Sequence, residues 1–189
     1  MVGTKGRGTN MAALITACQT GAVPATVNLV ISPVDNTPAV NRARALQVPV
    51  AIIPRSDDYG DQVLKALNEA EIEWICLAGY MFLLPEEIVH AFPHRIINIH
   101  PALLPKFGGK GMYGRHVHVA VIEAAETESG CTVHYVTEEY DEGAVILQKS
   151  CPVLPTDTPD TLADRVIDLE AVAYAEALGM LVSKDVDNA

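Results

Sequence analysis

The chain has 189 residues, 49% hydrophobic and 20% charged, and its 13 basic and 24 acidic side chains leave a formal charge of −11. Such a chain suits one domain with a full core; its acidity argues against a nucleic-acid surface, which wants a basic face, but not against a small anion held by backbone N–H groups. No apolar run reaches the roughly 18 residues of a membrane span and no basic-then-apolar leader opens the chain. The four cysteines show neither CxxC spacing nor disulfide-rich density, so reduced thiols and a cytoplasmic protein are expected.

In chain order, Gly6-Arg7-Gly8-Thr9-Asn10 comes first, followed by a helical stretch from Met11. In a mononucleotide-binding fold a strand feeds such a turn, yet too few residues precede it to make one. A strand over residues 27–32, a helix over 38–46, a strand over 50–53 and a helix over 58–70 follow. Residues 74–79 are bare of charge and read as a strand buried on both faces. Pro85 suits the first turn of a short helix, and residues 96–100 form the next strand. This alternation implies right-handed crossovers and a mostly parallel α/β sheet with helices on both faces.

The pattern changes after residue 105. Residues 106–114 hold four glycines and read as a loop, and 116–125 as a helix. Residues 132–136 and 144–148 read as a hairpin around an acidic turn, adding antiparallel strands. Thr158-Pro159 supplies an N-cap and a first helical position for a final helix whose stripe is Leu162, Val166, Leu169, Ala173 and Ala177.

Three segments can carry chemistry. The glycine turn is either an anion site, with glycines for close approach and unpaired N–H groups at a helix start, or a loop capped by Thr9 or Asn10. Asn98 and His100, two apart on a strand, project to one side at its C-terminal end, where an α/β fold places ligands; the alternative for His100 is a satisfied core histidine. Asp141 lies on a turn that can fold back toward the strand ends or simply be a solvated acidic hairpin. His116 and His118 share a face only in a strand, whereas this stretch reads as a helix start, so no metal is expected.

These segments resemble the folate-dependent glycinamide ribonucleotide formyltransferases. The resemblance rests on Gly6-Arg7-Gly8-Thr9-Asn10-Met11, Leu77-Ala78-Gly79-Tyr80-Met81, Asn98-Ile99-His100-Pro101-Ala102-Leu103-Leu104-Pro105, and Gly130-Cys131-Thr132-Val133-His134-Tyr135-Val136 through Asp141 to Ile146-Leu147-Gln148. It implies a single formyltransferase domain over 1–189, Rossmann-like, with the N-terminal strand missing or shortened. The implied reaction is transfer of the formyl group of 10-formyltetrahydrofolate, the co-substrate, to the amine of 5'-phosphoribosylglycinamide in purine synthesis, by a monomer or homodimer and without metal. Asn98, His100 and Asp141 would be catalytic, with Asp141 keeping the His100 imidazolium charged. Gly8, Thr9, Asn10 and Glu170 would hold the ribonucleotide. Met81, Phe82, Leu83, Leu84, Asn98, Thr137, Glu138, Tyr140 and Asp141 would line the folate site, although Met81 to Leu84 also read as ordinary core.

The chain departs from the family pattern in several places. Phe82 stands where the family often has arginine, and Ala171 and Ala175 replace the usual histidine and proline after the glutamate. Arg55 stands next to Ser56, near which the family carries a ligand-binding arginine. The alternatives are a formyl-folate hydrolase and a catalytically weak ligand-binding homologue.

Overall fold

The computed structural model describes residues 1–4 and 6–187. In chain order the elements are α1 (Thr9–Gln19), β1 (Val30–Ser32), α2 (Pro38–Ala45), β2 (Val50–Ile52), α3 (Tyr59–Glu69), β3 (Ile75–Leu77), α4 (Glu86–Ala91), β4 (Ile96–His100), α5 (Arg115–Glu123), β5 (Glu128–Tyr135), β6 (Val145–Pro152) and α6 (Pro159–Asp187). Thr158 caps α6, its Oγ1 accepting from the Thr161 N–H at 3.2 Å. This satisfies one of the donors a helix start leaves unpaired.

Two edges of the expected strands are shorter than their apolar runs. β1 begins only at Val30, whose N–H donates to the Pro49 carbonyl; the residues before it have no ladder partner. β3 shrinks to Ile75–Leu77, the stretch that pairs with Ile96, Ile97 and Asn98 of β4. β5 and β6 run longer than expected. Their eight-residue strands pair antiparallel down to Glu128 opposite Pro152, so the hairpin's mutual pairing extends both strands beyond the apolar stretches.

β1 pairs with β2 and β3 with β4, both parallel, while β5 and β6 continue from β4 antiparallel. Among the described residues, Met1 and Val2 bridge β1 and β3. The Val2 N–H donates to the Ile31 carbonyl at 3.0 Å, and the Ala78 N–H donates to the Met1 carbonyl at 2.9 Å. Here the first strand is shortened to a single parallel bridge, Val2 opposite Ala78. Behind it a cleft of about 540 Å³ opens between residues 27–31 and 72–76. The glycine turn is nevertheless anchored: a Cβ on Gly3 would lie 2.2 Å from the Gly79 carbonyl oxygen, so the backbones approach as only glycine permits.

Strand alternation divides the apolar residues between two faces. Ile97 and Ile99 join a cluster with Leu14 and Ile15 of α1, Val117 and Val121 of α5, and Leu162, Val166 and Ala173 of α6. Ile96, Ile75 and Leu77 join the other, with Val63 and Leu67 of α3 and Ile88 of α4. The predicted α6 stripe is thus the seam that clamps β4, and Leu162, fully buried, should cost about 2–5 kcal/mol on truncation to alanine. Tyr174 reinforces it. Its hydroxyl lies 2.9 Å from the Leu77 carbonyl and 3.0 Å from that of Ile97, tying α6 to the C-terminal end of β3 and to the first half of β4.

Candidate active site

β4 delivers Asn98 and His100 to one face, and the turn after it is tied down from below. Thr132, opposite His100 on β5, donates through Oγ1 to the Ala102 carbonyl at 2.6 Å and accepts from the Leu104 N–H at 3.0 Å. Gln148 adds a bond from Nε2 to the Leu104 carbonyl at 2.9 Å. The strand end therefore cannot fray without breaking a buried network, which keeps the two side chains registered.

Four polar side chains meet at that end. Asp141, with its backbone in the left-handed region at φ 58°, reaches back so that Oδ2 lies 3.4 Å from His100 Nδ1 and Oδ1 lies 3.5 Å from His134 Nε2. The Gly109 N–H donates to Oδ2 at 2.8 Å. His100 donates from Nε2 to the Phe107 carbonyl at 2.8 Å. Asn98 Nδ2 lies 3.1 Å from His134 Nε2. The acidic turn is not a free hairpin tip: its aspartate is nearly enclosed between two imidazoles.

Burial sets the protonation of this cluster. It lowers His100 below the ordinary histidine range, and Asp141 and the Phe107 carbonyl offset this only partly. Asp141 acts in the expected direction, favouring the imidazolium, and burial opposes it. In this pocket desolvation outweighs one carboxylate, which favours the neutral ring. For Asp141 the balance is reversed. Burial works to raise it, but contacts with His134, His100 and the Gly109 N–H prevail and hold it below the usual carboxylate range.

At the other end of the cavity the glycine turn opens α1. The N-cap is Gly8, at φ 73° with no side-chain capping bond, not Thr9 or Asn10. Only glycine fits, since a Cβ there would lie 2.8 Å from the Ala39 Cα. The first-turn amides are left unclaimed by any capping side chain, and an unclaimed helix start attracts anions. Beside it Asn10 Nδ2 donates to Glu170 Oε2 at 3.0 Å, while Asn10 Oδ1 is buried without a partner. Burial pushes Glu170 up from 4.5 to about 7, with the Asn10 bond opposing.

One cavity of about 720 Å³ joins these ends. It is lined by every residue proposed above for the site except Glu138. That carboxylate pairs with His90 Nε2 at 2.6 Å in an exposed contact, because the turn aims it across to α4. Arg55 contacts the wall formed by Tyr80 to Leu84 from behind. Its guanidinium carbon lies 4.6 Å from the Phe82 ring centroid, and Nη1 donates to the Tyr80 hydroxyl at 2.9 Å. His134 and His118 also line the cavity, and neither carried a functional expectation. His118 packs inward from the first turn of α5 with Nδ1 unpartnered. His116 instead meets Tyr113 edge-on, as residues two apart on a helix must diverge.

A mostly parallel α/β fold thus puts a glycine-capped helix start at one end of a pocket, and an amide, two imidazoles and a carboxylate at the other. The chain belongs to the formyl transferase family, whose model matches residues 1–178. Among known proteins it is 40% identical over 182 residues to the chloroplastic phosphoribosylglycinamide formyltransferase of Arabidopsis thaliana, covering 93% of this chain and 62% of that protein. It is 36% identical over 174 residues to the Haemophilus influenzae phosphoribosylglycinamide formyltransferase, covering 89% and 80%. A solved glycinamide ribonucleotide transformylase from Symbiobacterium toebii superposes with a TM-score of 0.89 at 34% identity, covering 97% of this chain and 86% of that one.

Proposed function

We propose that this chain is a phosphoribosylglycinamide formyltransferase of purine synthesis: a single formyltransferase domain over residues 1–189 that moves the formyl group of 10-formyltetrahydrofolate to the glycinamide amine. The observation that carries this reading is the continuous cavity from the Gly8 cradle to Asn98, His100 and Asp141. Its two ends suit the two ends of a phosphorylated amine substrate, and the apolar wall at Met81, Phe82, Leu83 and Leu84 suits a flat pterin. The buried Asn10 oxygen without a donor fits a ribose hydroxyl or the glycinamide N–H.

The reaction is acyl transfer. The amine nitrogen attacks the formyl carbon, and the carbonyl π electrons move onto oxygen to give a tetrahedral oxyanion. The bond from that carbon to the folate nitrogen then breaks, and the proton lost by the amine ends on the leaving nitrogen. Asn98 donates an N–H to the oxyanion, worth about 2.7–4 kcal/mol for one such donor. His100, neutral in the closed pocket, accepts the amine proton, becomes an imidazolium stabilised by Asp141, and returns the proton to the leaving group. General acid–base help of this kind contributes about 10²–10⁴-fold. The Phe107 carbonyl engages Nε2 and Asp141 faces Nδ1, so one ring nitrogen must be released for substrate. The glycine-rich 106–114 loop carries Phe107 and has positive φ at Gly109, Gly111 and Gly114; its movement would free Nε2, and with the ring proton shifted to Nδ1, toward Asp141, the bare Nε2 can take the amine proton.

The test mixes protein, phosphoribosylglycinamide and 10-formyltetrahydrofolate and follows release of the deformylated folate by absorbance. Release that depends on the amine is the expected result. Release without it would make the chain a hydrolase, and none would make it a binding homologue. No metal or nucleic-acid partner is invoked, and the small-molecule substrates are the only partners this chemistry needs.

A further inference from the structure

The transfer chemistry leaves two buried histidines in the cavity without a task, His118 and His134. His134, only 2% exposed, stands directly across the antiparallel β4–β5 ladder from Asn98. Opposed residues on neighbouring strands share a face and meet at the Cβ level, so the two side chains are held together by the sheet itself. The tautomer of His134 is set by its own backbone neighbourhood. Nδ1 lies 2.8 Å from the Tyr135 carbonyl, which can only accept, so Nδ1 carries the proton. In the neutral ring Nε2 is then a bare acceptor, and the group 3.1 Å from it is Asn98 Nδ2, which can only donate.

We propose that His134 is a positioning residue for the reaction: it fixes which end of the Asn98 amide is nitrogen, and so guarantees that an N–H and not the carbonyl oxygen faces the developing oxyanion. An asparagine amide can flip end for end, and its two ends have nearly the same shape and opposite hydrogen-bonding character. Flipped, Asn98 would present an acceptor oxygen to a nascent negative charge. The bare Nε2 removes that state, because two acceptors would then face each other. One Nδ2 hydrogen is used on the ring, and the second, held in the amide plane, is left for the cavity that Asn98 lines. Asp141 Oδ1, 3.5 Å from the same Nε2, marks the competing arrangement. A proton on Nε2 would turn the ring's interaction toward the carboxylate and end its hold on the amide. The ring holds the amide only while Nε2 is bare.

The inference rests on the formyl-transfer reading, and the test separates the two. In a ¹H–¹⁵N spectrum the Asn98 side-chain amide, assigned by its loss in Asn98→Ala, should show one hydrogen-bonded proton that shifts in His134→Leu. This signal is read without any turnover. In the transfer assay His134→Leu should lower kcat about 10–100-fold, part of the 10²–10³-fold ascribed to one oxyanion donor, with KM for both substrates changed less than about threefold. In the Asn98→Ala background the same change should cost less than about threefold, because the group it positions is gone. His134→Gln, which restores an acceptor at the Nε2 position, should recover most of the loss. His134→Asn, which restores only the Nδ1 donor, should not, and it stands in if the leucine variant does not fold. An unshifted amide signal, equal costs in the two backgrounds, or a glutamine variant no better than asparagine would each overturn the proposal. A wild-type protein that shows the amide signal but no transfer would sink the proposed function and leave the Asn98–His134 bond intact.

Discussion

The two ends of the cavity are built from different materials. The cradle end is backbone: Gly8 in a left-handed turn, with no side chain capping α1. The reaction end is side chain: Asn98, His100, His134 and Asp141 hold one another within 3.1 to 3.5 Å. A backbone site depends on conformation and tolerates changes of side-chain chemistry, while a side-chain site depends on identity and tolerates little. The two ends should therefore fail in different ways.

The largest effect expected is at the reaction end. Asn98→Ala should lower kcat by about 10²–10³ with an unchanged thermal midpoint. Near wild-type turnover in a steady-state assay would mean that the oxyanion is held elsewhere. Glu170→Gln probes the buried carboxyl that Asn10 bonds beside the glycine turn. The folded carboxyl titrates at about 7 against 4.5 in the unfolded chain, so the folded state holds an extra proton between those values. Glu170 thus costs stability as pH rises through that window. The glutamine variant should be more stable at pH 8, by up to about 3 kcal/mol, and indistinguishable below about pH 4.5. Denaturant melts at both pH values check this, and a gain that does not vanish in acid would refute the linkage.

Gly8→Ala should cost about 1–3 kcal/mol of strain and raise KM for the phosphorylated substrate more than it lowers kcat. Thr9→Ala next to it should move that KM by less than about threefold, since in the proposed cradle Thr9 would act only through its backbone. If the threonine hydroxyl matters as much as the glycine, the contrast between the two ends disappears. The smallest effect belongs to Glu138→Ala. Its exposed pair with His90 is worth about 0–1 kcal/mol, and folate KM should stay within about twofold. A tenfold rise would return Glu138 to the site.

Some of this organisation was legible in the sequence for local reasons. The α6 stripe and the β4 pair follow from periods of 3.6 and 2, which any observer of the chain can count. Asn98 and His100 had to share a face wherever the strand lay. The role of Asp141 was legible only through resemblance, since its left-handed turn at φ 58° is what aims it inward while Glu138, three residues earlier, points to α4. His134 was hidden altogether. Inside a β5 that reads as plain core, nothing local distinguishes a satisfied histidine from one that faces Asn98.

By itself the sequence determined the alternation of elements, the apolar seams, the glycine-dependent turn and the strand that carries Asn98 and His100, because each is a property of neighbours along the chain. Only the tertiary structure decided that Asn98 faces His134 across an antiparallel ladder, that burial outweighs Asp141 at His100, and that the first strand is reduced to Val2 against Ala78. Those depend on strand register and desolvation, which arise when segments far apart in sequence close on one another and exclude water.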